Sequence, residues 1–217
     1  MKPTALITGA SQGLGRAVAR LLARRGYRLV LNARNAEPLQ ALARELDALA
    51  VPGDVSEIAE ELAAKAGAID VLINNASELG PLPMPRLEEY PWDALLRVFQ
   101  VNAVAPLHLA QLVLPRMKER GSGTILNIIS DAGINAYPGW GGYGASKAAL
   151  LHLSRTLAAE LEGTGVRVFA VDPGDMHTEM HRLALGVDVG ADLSHLPMPE
   201  EVAPMIVRYF DELAEAV

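Results

Sequence analysis

Tyr143 and Lys147 stand four residues apart in the run Tyr143-Gly144-Ala145-Ser146-Lys147, and Ser130 lies thirteen residues upstream. The chain holds only four lysines, so one at this distance from a tyrosine is informative. Leu150, Leu153, Leu157 and Leu161 follow at helical spacing, which predicts a helix over 142–161. Positions i and i+4 share a helix face, so the phenol and the ammonium can sit side by side. A phenol titrates near pH ~10 in water, and an adjacent cation favours the phenolate. The expectation is a Tyr143 pKa pulled down until the residue serves as acid and base near neutrality. Taken alone, the pair could equally be a surface tyrosine and lysine among small helix residues.

A second chemistry-bearing run is Thr8-Gly9-Ala10-Ser11-Gln12-Gly13-Leu14-Gly15. It follows the short apolar strand 5–8 and opens an amphipathic helix (Leu14, Ala17, Val18, Leu21, Leu22) that stops at Gly26. Glycines at such a turn let the backbone approach a pyrophosphate, which the helix N-terminus then stabilises. A purely structural turn also favours glycine; the place after the first strand favours the nucleotide site.

The elements that must position these residues alternate along the chain. Strands are expected at 5–8, 28–31, a short run ending near Gly53, 69–73, 124–129 and 166–171. Helices are expected at 37–46, after Ser56, over 91–120 and 142–161, and from Pro199 through Leu213. Continuous apolar strands separated by helices mean a parallel sheet covered on both faces. The fold expected is a doubly wound α/β sheet in the order 3-2-1-4-5-6, with the site at the carboxyl ends. Residues 1–217 read as one domain, without repeat or linker.

Bulk composition narrows the function. Half of the residues are hydrophobic and 21% are charged, a globular balance. A net charge of −7 without a basic stripe argues against nucleic acid as a partner. With no cysteine, disulfides, thiolate nucleophiles and cysteine-held metals are excluded. The start of the chain lacks a charged-then-apolar leader. The apolar stretch 93–117 carries Arg97, Gln100, Asn102, His108 and Gln111, which argues against a membrane span. A cytoplasmic protein is expected.

These motifs in this order resemble the short-chain dehydrogenase/reductase family from Thr4 to about Thr178. The glycine run is similar to the family's Thr-Gly-x-x-x-Gly-x-Gly. Asn74-Asn75-Ala76-Ser77 resembles its Asn-Asn-Ala-Gly turn, departing at Ser77. Asn102, Ser130, Tyr143 and Lys147 fall where its catalytic tetrad falls, and Pro173-Gly174 with Thr178 resembles its Pro-Gly-x-x-x-Thr segment. The resemblance implies that Tyr143 exchanges a proton with the substrate oxygen while Ser130 orients that oxygen. It implies that Lys147 holds the nicotinamide ribose and that Asn102 anchors a water passing protons to Lys147. It further implies that Gly9, Ser11, Gln12, Gly13, Leu14 and Gly15 cradle the cofactor phosphates, and that Asn75, Ala76 and Ser77 line its ribose side. Asn74 braces the sheet. Pro173 and Gly174 shape the nicotinamide turn and Thr178 bonds the carboxamide. Asp54 and Val55 resemble the adenine contact, although Asp54 could instead cap the turn before Ser56.

At the end of strand two, Leu31-Asn32-Ala33-Arg34 offers no carboxylate for a ribose 2′-hydroxyl, whereas Arg34 can pair with a 2′-phosphate. NADP(H) is therefore expected over NAD(H), with Ser11 adding a hydroxyl. The function expected is interconversion of a carbonyl and a secondary alcohol by hydride transfer. A non-catalytic NADP sensor, or an epimerase or dehydratase on the same scaffold, stands as the alternative. His177 and His181 lack the zinc-protease order, and no metal is expected. Tyr137 and Trp140 could be a substrate wall or ordinary packing, and Asp131 a pocket or a turn residue. Substrate choice falls to residues 78–90 and 176–198, which carry no readable code. The family's seventh strand finds no room in 214–217, so the sheet is expected to stop at Val171. A homodimer through the helices 91–120 and 142–161 is expected.

Overall fold

The computed structural model describes residues 2–186 and 192–211. Its strands are β1 (Thr4–Thr8), β2 (Arg28–Ala33), β3 (Leu49–Pro52), β4 (Val71–Asn74), β5 (Gly123–Ile128) and β6 (Val166–Val171). Among the described residues they form one six-stranded sheet in the order 3-2-1-4-5-6, and every pairing is parallel. Residues 214–217, where a seventh strand was judged impossible, lie outside the described residues.

Successive side chains of a strand point to opposite faces, and both faces here are buried. Ala5 and Ile7 join a core with α1 (Gly13–Arg24), α2 (Ala36–Leu46) and α8 (Pro199–Asp211). Leu6 joins the opposite core with α3 (Ala59–Ala66), α5 (Ala105–Arg120) and the C-terminal end of α6 (Gly141–Glu160). That two-sided burial is why the strands read as continuous apolar runs rather than as alternating ones.

The region 91–120 is helical throughout but not one regular helix. α4 (Trp92–Phe99) runs into α5 through a π-helical turn, Gln100–Val104, which no residue pattern announces. The helix α7 (Glu179–Leu185) within 176–198 was also unforeseen. Among the described residues one helical run, Trp92–Arg120, is long and apolar enough to cross a membrane, so its polar residues do not exclude it by composition. The run packs into the fold, with 56% of its most apolar window buried.

Chain crossings are tight where two loops meet below the sheet. A Cβ on Gly165 would lie 1.9 Å from the Gly121 carbonyl oxygen, and φ there is +76°. Only glycine fits both the close approach and the left-handed backbone.

Candidate active site

The carboxyl ends of the strands open on one cavity of about 1100 Å³. With two exceptions, every residue expected at the site lines it. The exceptions are Gly15, which packs α1 against the glycine turn, and Asn102, which lies behind Ser77.

At one end stands the start of α1. No side chain caps this helix and its first turn holds no acid, so its N-terminal N–H groups are left for an anion. Gly9 and Gly13 have φ of +65° and +51°, which glycine adopts freely. A Cβ on Gly15 would fall 2.4 Å from the Gly9 carbonyl oxygen. Gly15→Ala is therefore expected to force the turn open at a cost of roughly 1–3 kcal/mol. A thermal melt several degrees lower and weaker nucleotide binding would show this; an unchanged melt would contradict it.

Several expected nucleotide contacts have partners within the protein. Asn75, expected to line the ribose side, lies on the cavity wall, and its amide donates to the carbonyls of Thr8 and Gly9 at 3.0 and 3.1 Å and locks the turn. Asn74 bonds Asn127 at 2.8 Å and braces the sheet as expected. Asp54 takes Ser56 N–H and O–H on one oxygen and Arg97 on the other. Burial pushes its carboxyl up, but the bonds from Ser56 and Arg97 outweigh that and hold it below the usual range. The turn-capping bonds to Ser56 are present, and Asp54 also lies on the cavity wall. Arg34 reaches a carboxylate oxygen of Glu78 at 3.2 Å, and Arg97 comes within 3.5 Å of the same oxygen. Thr178 accepts the His181 N–H at 3.2 Å as the N-cap of α7. Gly174 N–H bonds Asp172 at 2.9 Å, fixing the turn after β6.

At the other end, α6 presents Tyr143 and Lys147 one turn apart. Lys147 is 2% exposed, and its ammonium donates to the Ile128 carbonyl at 2.8 Å. Burial drives its pKa down to about 8, with Asp172 opposing. Ile129 extends the β5–β6 ladder through Val171 and so carries Ser130 to the cavity that Tyr143 and Ser77 also line.

The expected depression of the Tyr143 pKa is not found. Burial pushes it up to about 12, and the nearby Ser77 and Ser130 hydroxyls only partly offset that, while Asp172 and Asp131 add to the rise. The Lys147 ammonium lies 5.6 Å from the ring centroid, bonded to backbone. The missing ingredient in the sequence argument was desolvation, which penalises both charged forms.

Asn102 is fully buried in the π turn. Its side chain accepts from Glu78 N–H (2.8 Å) and Ser77 O–H (3.2 Å), and donates to Glu78 carbonyl (2.8 Å) and Ser146 (2.9 Å). With every side-chain position occupied, the amide braces the 77–78 turn rather than offering a ligand to water.

Around the phenol, Leu79, Ala132, Trp140, Met180 and Ala184 form an apolar wall. Trp140 meets Tyr143 edge to face at 5.9 Å and Tyr137 at 6.4 Å. Tyr137 donates to Asp131 at 2.7 Å, and all three line the cavity. Arg97 and Glu78 were not singled out in the sequence, because their contacts join segments far apart in the chain. Among the described residues no group of His, Asp and Glu could hold a metal. The cavity fits a dinucleotide in its glycine cradle and in the uncapped helix at its end.

The sequence profile described as short chain dehydrogenase matches residues 3–185. A 3-oxoacyl-acyl-carrier-protein reductase of Thermotoga maritima is 35% identical over 93% of this chain and 87% of its own length. A short-chain dehydrogenase from Sphingobium yanoikuyae, solved in complex with NADPH, is 34% identical with a TM-score of 0.86, covering 97% of this chain and 84% of that one. An alcohol dehydrogenase from Thermococcus sibiricus, complexed with 5-hydroxy-NADP, is 33% identical with a TM-score of 0.85, covering 100% and 93%.

Proposed function

This chain belongs to the short chain dehydrogenase family of oxidoreductases, and on that premise we propose that it interconverts a carbonyl and a secondary alcohol with NADP(H). The observation that carries the reading is the meeting of the Tyr143 phenol, the Ser130 hydroxyl and the Lys147 ammonium at one end of the glycine-turn cavity. Bound NADP(H) supplies or accepts the hydride. Tyr143, neutral through physiological pH because of its burial, gives its proton to the oxygen of the carbonyl being reduced. Ser130 orients that oxygen. Lys147 is fixed through Ile128 between the phenol and the place of the nicotinamide ribose. Asn102, Ser146 and Glu78 hold the turn that carries Ser77. The apolar wall of Leu79, Trp140 and Met180 favours a small molecule with an apolar flank beside the carbonyl.

Gly9, Ser11, Gln12, Gly13 and Leu14 would hold the phosphates at the start of α1, with Val55 and Ala76 along the adenosine and Pro173, Gly174 and Thr178 near the nicotinamide. Arg34 supports NADP over NAD: its guanidinium is 63% exposed at the cavity rim, and no carboxylate follows β2 to meet a 2′-hydroxyl. The complexes of the two solved relatives agree with that choice. NADPH is expected to bind about ten-fold more tightly than NADH, since a charge-assisted pair contributes roughly 1.5–3 kcal/mol and displacing Glu78 takes some of that back. Arg34→Ala should erase the preference and Ala33→Asp reverse it. Equal affinities in the parent, by cofactor fluorescence titration, would contradict the assignment.

Residues 1–217 act in this reading as one cytoplasmic NADP-binding domain. Trp92, Leu96 and Val104, 75%, 57% and 56% exposed on the α4–α5 run, support a homodimer formed by that run and α6. Light scattering should give twice the chain mass of 23.1 kDa; a monomer or a stable tetramer would refute it.

A further inference from the structure

Two guanidiniums meet on one carboxylate beside the adenosine end of the cavity. Arg34 Nη1 lies 3.2 Å from Glu78 Oε2, and Arg97 Nε lies 3.5 Å from the same oxygen. The two arginines are held unequally. Arg97 also donates to the Ser56 hydroxyl at 2.8 Å and to Asp54, and it stands outside the cavity lining. Arg34 lines the cavity with an exposed side chain, and among the described residues Glu78 is the carboxylate it reaches. Glu78 is fixed from the core. Its N–H donates to the Asn102 side-chain oxygen at 2.8 Å, its carbonyl accepts from the Asn102 amide at 2.8 Å, and Asn102 is fully buried. The main chain therefore sets where the carboxylate stands, and the side chain can be changed without loosening the turn.

A 2′-phosphate and the Glu78 carboxylate ask for the same cation. To bind Arg34, the phosphate must draw the guanidinium away from Glu78 or share it at close range with a like charge, and both are unfavourable. A 2′-hydroxyl carries no charge and leaves the pair as it is. The penalty therefore falls on the phosphorylated nucleotide alone. It stays small, because Glu78 keeps Arg97 when Arg34 turns away.

We propose that Glu78 is a specificity-determining residue for the nucleotide, a carboxylate that competes with the 2′-phosphate for Arg34 and so holds down the preference for NADP(H). The inference rests on the reading of Arg34 as the 2′-phosphate ligand and adds the residue that opposes it. Acting through Arg34, Glu78 recaptures the guanidinium as the phosphate leaves. The spent cofactor is then released more readily than Arg34 alone would allow.

The test is a titration of NADPH and NADH fluorescence on the full chain. Glu78→Gln and Glu78→Ala should bind NADPH about two- to five-fold more tightly than the parent, the range of an exposed ion pair. NADH affinity should stay near the parental value. In an Arg34→Ala background the same Glu78→Gln change should lose most of its effect, which separates competition for the guanidinium from a general change of charge. The gain should also shrink as salt is raised, since exposed charges are screened. NADPH affinity unchanged or weakened by Glu78→Gln, with Arg34→Ala still erasing the parental preference, overturns the proposal and leaves the cofactor assignment intact. Equal gains for NADPH and NADH overturn it as well. A parent that binds both alike, in which Glu78→Gln creates a preference that Arg34→Ala removes, contradicts the cofactor assignment and bears out the role of Glu78. No preference in any variant refutes both.

Discussion

Tyr143→Phe is expected to lower turnover by about 10²–10⁴, the range set by loss of a positioned general acid. The ring stays, so its edge-to-face contact with Trp140 and its place against Leu79 and Met180 survive. NADPH affinity should change little, because no nucleotide contact is assigned to the phenol oxygen that the chemistry does not also use. The effect should therefore sit in kcat, with KM for the cofactor near the parental value. Burial holds the Tyr143 proton until about pH 12, so carbonyl reduction should not decline through neutrality on account of this residue. Residual activity above a few per cent would mean that another group donates the proton.

Lys147→Met has two large effects of opposite sign. Turnover and nucleotide binding should both fall, kcat/KM by roughly 100-fold or more, because one ammonium serves the phenol and the ribose. Stability should rise. Lys147 is buried, and the fold lowers its pKa from 10.5 to about 8, so the folded protein carries an unfavourable charge at pH 7. That shift corresponds to roughly 3 kcal/mol, offset by about 1 kcal/mol for the bond to Ile128 that methionine cannot make. The net gain should appear as a melt a few degrees higher at pH 7. Between about pH 8 and 10.5 the unfolded chain binds the lysine proton and the folded one does not, so the parent gains stability with rising pH. The advantage of Lys147→Met should therefore be largest below pH 8 and close towards 10.5. Tyr143, with its raised value, lowers stability above about pH 10 in both proteins and leaves the difference untouched. A Lys147→Met protein less stable than the parent at pH 7 would show that the buried ammonium supports the fold. By the same account, parental kcat/KM for the cofactor should fall as pH rises through about 8.

What was legible in the sequence follows from how local each signal is. Buried strands announce themselves as apolar runs, so all six and their order could be expected. The glycine turn and the Tyr143–Lys147 spacing are complete within a few residues, and the structure brings both to one cavity. Partners far along the chain were not legible. Asp54 meets Arg97, 43 residues away, and nothing near Asp54 says that its oxygens are occupied. That Asn75 also locks the glycine turn could not be read without seeing Thr8 and Gly9 beneath it. The Tyr143 pKa failed for the same reason, since a motif supplies the lysine but not the burial. The Ser77 departure was visible, but its bond to Asn102 was not.

The π turn at Gln100–Val104 also makes the long helix a place where chain length is counted. A π turn holds one residue more than the α-helical winding on either side. Deleting a single residue there would let the helix rewind regularly with both halves keeping their faces, because the π turn is what takes up the extra residue. A deletion within α4 or α5 would instead rotate one half against the other by about 100°. With α5 held by its contacts to the sheet, α4 would then turn as a unit, Trp92 and Leu96 would leave the outer surface, and Arg97 would come away from Asp54, Ser56 and Glu78. Length variants of this helical run that keep activity should therefore have lost their residue at Gln100, Ala103 or Val104, which do not line the cavity.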